Sequence, residues 1–134
     1  MINEMDYKRI DLKTDPQTLT TTFADLGAEI PCLGFRTVSV YLQLDINQAN
    51  DITIGALGKL EKDATAEYWL PLQINGTAEI NADKLVNEIN YDADGYQMLR
   101  IDVTGVPFLQ LQAKEGTDGG VDADIESCVV ILTK

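Results

Sequence analysis

The sequence predicts an all-β fold: an antiparallel β-sandwich of eight or nine strands, jelly-roll-like in its connections. Three observations predict it. Apolar and polar residues alternate at period two in several short segments, glycine and aspartate turns separate those segments, and the 134 residues suit one domain. Thr37–Ile46 shows the alternation best, with Val38, Val40, Leu42, Leu44 and Ile46 on one face and Ser39, Tyr41, Gln43 and Asp45 on the other. Successive side chains of a strand point to opposite faces, so this spacing fits a half-buried strand and cannot make one helix face. Several such segments in a short chain point to a sandwich or barrel. Among two-layer solutions a jelly roll or similar Greek-key sandwich fits the strand count best.

Taken in order, residues 1–14 are charged and mixed, with Glu4, Asp6, Lys8, Arg9, Asp11 and Lys13. They read as an N-terminal arm, with the competing reading that Tyr7–Leu12 pairs as a first strand. Residues 15–134 read as a single sandwich domain. Asp15-Pro16 suits a helix start, but the threonines that follow are β-branched and favour a strand. A strand is therefore expected at Thr18–Phe23, with a turn at Leu26-Gly27.

Further strands are expected at Thr37–Ile46, Asp51–Leu57, Glu67–Ile74, Tyr96–Val103, Phe108–Lys114 and Ser127–Thr133, with shorter pieces at Ala28–Cys32, Gly76–Ile80 and Glu88–Tyr91. Asn75-Gly76 and Asp94-Gly95 are dipeptides that two-residue hairpin turns favour. Pro107 cannot donate to a ladder, so Gly105-Val106-Pro107 reads as a bend or a crossing between sheets. Only Asn81–Ile89, with Leu85, Val86 and Ile89 on one face, could form a helix.

Composition bounds the function. The chain has 22 acidic and 10 basic residues, a formal net charge of −12 and no histidine. That balance argues against nucleic acid or an anionic membrane as partner, because affinity for either rests on Lys and Arg. Without histidine the usual general base and the commonest transition-metal ligand are missing, and a serine or cysteine triad has no base. Met1–Lys13 lacks the apolar core and cleavage site of a secretory signal, and no stretch reaches the roughly 18 apolar residues of a membrane span. Cys32 and Cys128 are expected as buried thiols rather than a bridge.

Each motif-like stretch has a plainer reading beside it. Asn90–Gly95 opens like a calcium loop, with oxygen ligands at alternate positions and glycine at the sixth, but Ile101 stands where a bidentate glutamate is required. The plainer reading is a turn whose aspartates bond backbone. Glu115, Asp118, Asp122, Asp124 and Glu126 lie among glycines with no Lys or Arg from 115 through 133. That stretch reads as a solvated loop, or as a loop that meets a basic surface or a cation. Glycosidase-type catalysis needs a carboxyl with a raised pKa in an apolar cleft. The acids here fall in turns or on polar strand faces, and Asp45 and Asp102, the two inside strong strand patterns, point outward. Asn75-Gly76-Thr77 reads as a turn rather than a glycosylation site. No enzymatic activity, metal or cofactor is expected.

Tyr68-Trp69-Leu70-Pro71 is the richest contact candidate, since Trp and Tyr are favoured at binding hot spots and Pro71 suits an edge strand. The plainer reading places Trp69 in the core, with Tyr68 alone facing water. With Tyr7 and Arg9 of the arm and Tyr41 on the polar face of its strand, the candidate partner contacts are Tyr7, Arg9, Tyr41, Tyr68 and Trp69.

The order of segments also carries a resemblance. Phe35–Asp51, Tyr68-Trp69-Leu70-Pro71, Asp94–Thr104, Gly105–Gln112 and the glycine-rich Gly116–Asp124 together are similar to small β-sandwich proteins of tailed bacteriophages, some of which are capsid cement or decoration proteins. The resemblance implies a jelly-roll-like domain, self-association as a dimer or trimer, and a structural role on the capsid surface of the virion after synthesis in the host cytoplasm. The partner it implies is the major capsid protein, and it brings no catalytic residue. The alternative is a carbohydrate- or receptor-binding sandwich of a phage tail or fibre, using exposed aromatics such as Trp69, Tyr41 and Tyr96.

Overall fold

Alternation does build the expected sandwich. A computed structural model describes residues 6–74 and 85–134, and every regular element of length in it is a strand. In chain order these are β1 (Tyr7–Lys13), β2 (Gln17–Thr18), β3 (Ala24–Asp25), β4 (Ile30–Pro31), β5 (Thr37–Asp45), β6 (Ile52–Lys59), β7 (Tyr68–Trp69), β8 (Leu72–Ile74), β9 (Leu85–Val86), β10 (Glu88–Tyr91), β11 (Gly95–Asp102), β12 (Phe108–Glu115) and β13 (Asp124–Thr133). Five of them (β2, β3, β4, β7 and β9) are two residues long, which leaves eight longer strands, as the alternation requires.

The topology is that of a jelly roll. Strands from the first half of the chain pair antiparallel with strands from the second half in reverse order. β1 pairs with β13, β3 and β4 with β12, β5 with β11, and β6 with β10. The chain is thus one long hairpin, and β5·β13 and β6·β12 pairing closes the rolled hairpin into two sheets. One sheet has seven strands along the path β1-β13-β5-β11-β8-β9, with β2 beside β13. The other has six along β10-β6-β12-β3, with β4 beside β12 and β7 beside β6.

The core lies between the sheets and is written in the inward half of each alternating pattern. Val38, Val40, Leu42 and Leu44 of β5 meet Ile52, Ile54 and Ala56 of β6, Leu109, Leu111 and Ala113 of β12, and Cys128, Val130 and Leu132 of β13. Leu99 and Ile101 of β11 complete that layer. Cys32 and Cys128 are buried free thiols, and burial pushes both pKa values up to about 12. The thiolate is the reactive form, so both groups are inert packing.

Several local expectations are corrected. Residues 7–13 pair along β13 as an edge strand with Ile10 and Leu12 packed on the core, so that part of the 1–14 segment belongs to the sandwich. Residues 1–5 lie outside the described residues. The strand expected at Thr18–Phe23 is broken, because the chain crosses there from the seven-stranded to the six-stranded sheet. Leu19 plugs the crossing, and Thr20 bonds Thr22 backbone as a local turn. Short side-chain hydroxyls can offer backbone that alternative to a ladder.

Glu67–Ile74 likewise divides, because β7 pairs with β6 and β8 with β11 in the opposite sheet. Pro71 therefore marks a crossing rather than an edge strand. The described part of the candidate helix Asn81–Ile89 is strand, in β9 and β10, and 81–84 lie outside the described residues, as do Asn75-Gly76 and Gly76–Ile80. Asp94-Gly95 is also a crossing between sheets rather than a hairpin turn, since β10 and β11 belong to different sheets. Gly95 has φ +122°, in a region that side chains disfavour. Gly105-Val106-Pro107 is the expected crossing, closed by a Val106 N–H bond to the Val103 carbonyl.

Candidate functional site

Strand parity decides where the five candidate contacts go. On β1, β13 and β5 the residues between the core positions face outward, so Tyr7, Arg9 and Tyr41 all lie on the outer face of the seven-stranded sheet. The register sets Arg9 beside Ile131 and Ser39, and Asp11 beside Val129 and Tyr41. Arg9, Tyr41, Val129 and Ile131 line one shallow cleft of about 360 Å³. Arg9 also holds Asp11 on its own strand at 2.9 Å, an exposed pair. Such pairs contribute little to stability but fix the side chain's direction.

Tyr68 and Trp69 lie on the six-stranded sheet. Trp69 is not in the core: it is 50% exposed and lies over the outer face of β6 beside Phe23, with ring centroids 5.8 Å apart. The Lys114 ammonium sits 4.6 Å from the centre of the Phe23 ring, a cation–π contact. Gly55 makes room for the indole, which explains why β6 reads apolar on both faces and is buried on both. Tyr68 is 56% exposed and borders a second, apolar cleft of about 190 Å³ with Leu60, Leu70, Val106 and Pro107. The structure thus splits the candidate contacts into two groups on opposite sheets.

Sequence reasoning missed the apolar members of the first group. Val129 and Ile131 face outward, and Met98 follows Tyr41 across the sheet. The signal was the unbroken run Cys128–Leu132, which cannot put apolar residues on one strand face alone.

The acidic segments are arranged by the crossings. Asp94 Oδ1 accepts the Ile46 N–H at 2.7 Å, so this residue of the calcium-like stretch ties two connections together. Asn90 lies in β10 and donates to Asp51. The 115–126 segment links β12 to β13 and is not all solvated loop. Glu115 continues the inward register of β12 and is 2% exposed, accepting the Ala123 N–H at 2.8 Å. Burial, followed by the neighbouring Asp122 and Asp118 carboxylates, raises its pKa above the ordinary value. The carboxylates of Glu115, Asp118 and Asp122 converge within 4.8 Å, as do those of Asp45, Asp124 and Glu126.

Elsewhere Asp102 is held below its ordinary pKa by the Thr104 N–H at 2.9 Å. Glu29, bonded by the Asp63 N–H and by Lys59 at 2.9 Å, is lowered as well, and it ties the loop after β6 to the strand entering β4. Asp94, Glu29, Asp102 and Glu115 thus each accept a backbone N–H from a connection between strands.

The fold defines a class, the antiparallel β-sandwich with jelly-roll connections. No family model and no curated protein matches the chain. Among solved structures it is similar to the SPBc2 prophage-derived protein YomS, with TM-score 0.56 and 12% identity over 96% of this chain and 94% of that one. It is also similar to the structure of Bacillus endospore appendages that form disulfide-linked pili, with TM-score 0.49 and 12% identity over 96% of this chain and 86% of the other. At such identity the likeness to the prophage-derived protein shows the fold, over nearly the whole length of both chains. Among the described residues, no helix is long and apolar enough to cross a membrane.

Proposed function

We propose that this chain is a phage virion structural protein, a non-catalytic cement or decoration subunit that bridges major capsid proteins on the capsid surface. The observation that carries the reading is the division of exposed aromatics between opposite sheets, with Tyr7 and Tyr41 on one and Tyr68 and Trp69 on the other. A bridging subunit needs two separate contact surfaces on one rigid body, and the jelly roll holds these back to back. The full-length likeness to a prophage-derived protein supports the same reading. Repetition on a lattice then strengthens individually modest contacts by raising effective concentration.

Half-exposed Trp69 favours one other reading, a carbohydrate- or receptor-binding sandwich of a tail or fibre. A flat aromatic ring at the surface suits stacking against a sugar ring. Co-sedimentation with empty capsids of the encoding phage or prophage, beside a glycan-binding screen, separates the two. The cement reading expects capsid binding that weakens both with Tyr41→Ala and with Trp69→Ala. Glycan binding lost only with Trp69→Ala, and no capsid binding, would replace it with the second reading.

A further inference from the structure

We propose that β1 is a docking edge, along which an extended acidic segment of a partner protein adds as a further strand of the seven-stranded sheet. The inference goes beyond the virion reading and does not rest on it, since it uses the backbone edge of β1 rather than the outer sheet face.

β1 ends the seven-stranded sheet and pairs on one side only, with β13. In an antiparallel pair, one residue exchanges both backbone bonds with its partner and the next turns both groups away. The Lys134 N–H donates to the Asp6 carbonyl at 3.0 Å, which fixes the phase of that alternation. Lys8 and Ile10 therefore bond to Leu132 and Val130, while Tyr7, Arg9 and Asp11 aim N–H and C=O away from β13. All three residues are exposed, and among the described residues no other backbone bond reaches them. Beyond Asp11 the edge closes, because the ladder shifts register before Lys13 and Gly27 lies against Leu12. The open edge is thus residues 7–11, roughly 16 Å at the rise of a strand.

Such an edge is a template for an extended partner. In strand addition the main-chain bonds give affinity and alternate side chains give specificity. Ile10 and Leu12 pack on the core yet stay partly exposed, so the added strand must turn apolar side chains to that side. Charge selects the rest. β1 carries Lys8, Arg9 and Lys13 against Asp11 alone, an excess of cations in a chain of net charge −12. Opposite charges directly across two strands attract and like charges repel. The partner segment therefore alternates carboxylates with apolar residues. A second copy offering its own β1 would bring the same excess of cations, and lysines on an edge guard against such pairing.

Nuclear magnetic resonance of the isotope-labelled full chain tests the proposal. The probe is a blocked peptide of alternating glutamate and valine. A lysine–valine peptide and a glutamate–valine peptide with N-methylated backbone, which cannot donate to a ladder, are the controls. The expected result is saturable binding of the probe alone, with amide exchange slowed at Tyr7, Arg9 and Asp11 and unchanged at Lys8 and Ile10. Arg9→Glu should weaken that binding about fivefold by setting like charges across the pair. Circular dichroism checks folding, and Lys8→Glu serves should Arg9→Glu not fold. The proposal is overturned if the probe does not bind, if either control binds as well, or if a folded variant keeps full affinity. It is also overturned if shifts centre on Tyr41 and the outer face, or if the chain alone dimerises with these three amides already protected.

Discussion

Trp69 occupies the space that a side chain on residue 55 would need. A Cβ placed on Gly55 would lie 2.8 Å from Trp69 Cζ3, closer than two carbon atoms can approach. The only tryptophan of the chain therefore reports directly on whether β7 lies against β6. Gly55→Ala should lift the indole from the sheet, move its fluorescence emission to longer wavelength, and destabilise the fold by about 1–3 kcal/mol as overpacking does. Unchanged emission would place Trp69 elsewhere.

The register of β5 makes a second prediction. Leu42 is buried and Gln43 lies on the opposite face. Leu42→Ala should cost about 2–5 kcal/mol, while Gln43→Ala should stay within about 0.5 kcal/mol. Urea melts measure both, and equal losses would mean that the strand is shifted by one residue.

Glu115 sets the sign of a pH effect. Its folded pKa is raised above 4.5, mainly by burial, so the folded chain holds this proton more tightly than the unfolded one. Stability from this group is present below the unfolded pKa and is lost as pH rises through the folded pKa. Glu115→Gln keeps an oxygen acceptor for the Ala123 N–H and removes the charge. The variant should melt higher than wild type at pH 7, and the gap should close as pH falls towards 4.5. Glu29 and Asp102 have lowered pKa values and act in the opposite sense at lower pH. A Glu115→Gln variant that melts lower at pH 7 would show that the charged form is the stabilised one.

Deleting residues 1–14 should now lower the melting temperature strongly. The deletion strips β1 from β13, exposes the ladder from Cys128 to Thr133, and uncovers the core beside Ile10 and Leu12. Thermal unfolding followed by circular dichroism checks this, and a 1–14 deletion that melts like the full chain would return the segment to the role of an arm.

What could be read in the sequence was what alternation governs. Thr37–Asp45, Ile52–Lys59, Gly95–Asp102 and Phe108–Glu115 all appear within two residues of expectation, because one face of each is buried and period two records that directly. Crossings between sheets were less legible. Thr18–Phe23 and Glu67–Ile74 have strand-like composition, but each changes sheets midway, and local propensity does not record which sheet a residue joins. The candidate contacts were legible as exposed aromatics, since Tyr7, Tyr41 and Tyr68 do face solvent. Their division between two faces depends on the roll of the long hairpin, a relation between distant residues. Glu115 was read as solvated, and Trp69 was left open between a contact and the core. The Ala123 N–H that closes over the acid, and the missing side chain of Gly55 under the indole, depend on residues distant in sequence.

The bridging role is tested most directly by the mass of empty capsids, measured with and without the purified full-length chain. The account predicts a saturable mass gain with a fixed number of chains per lattice position, and a smaller gain with Trp69→Ala. A capsid mass that does not change at saturating chain concentration would contradict it.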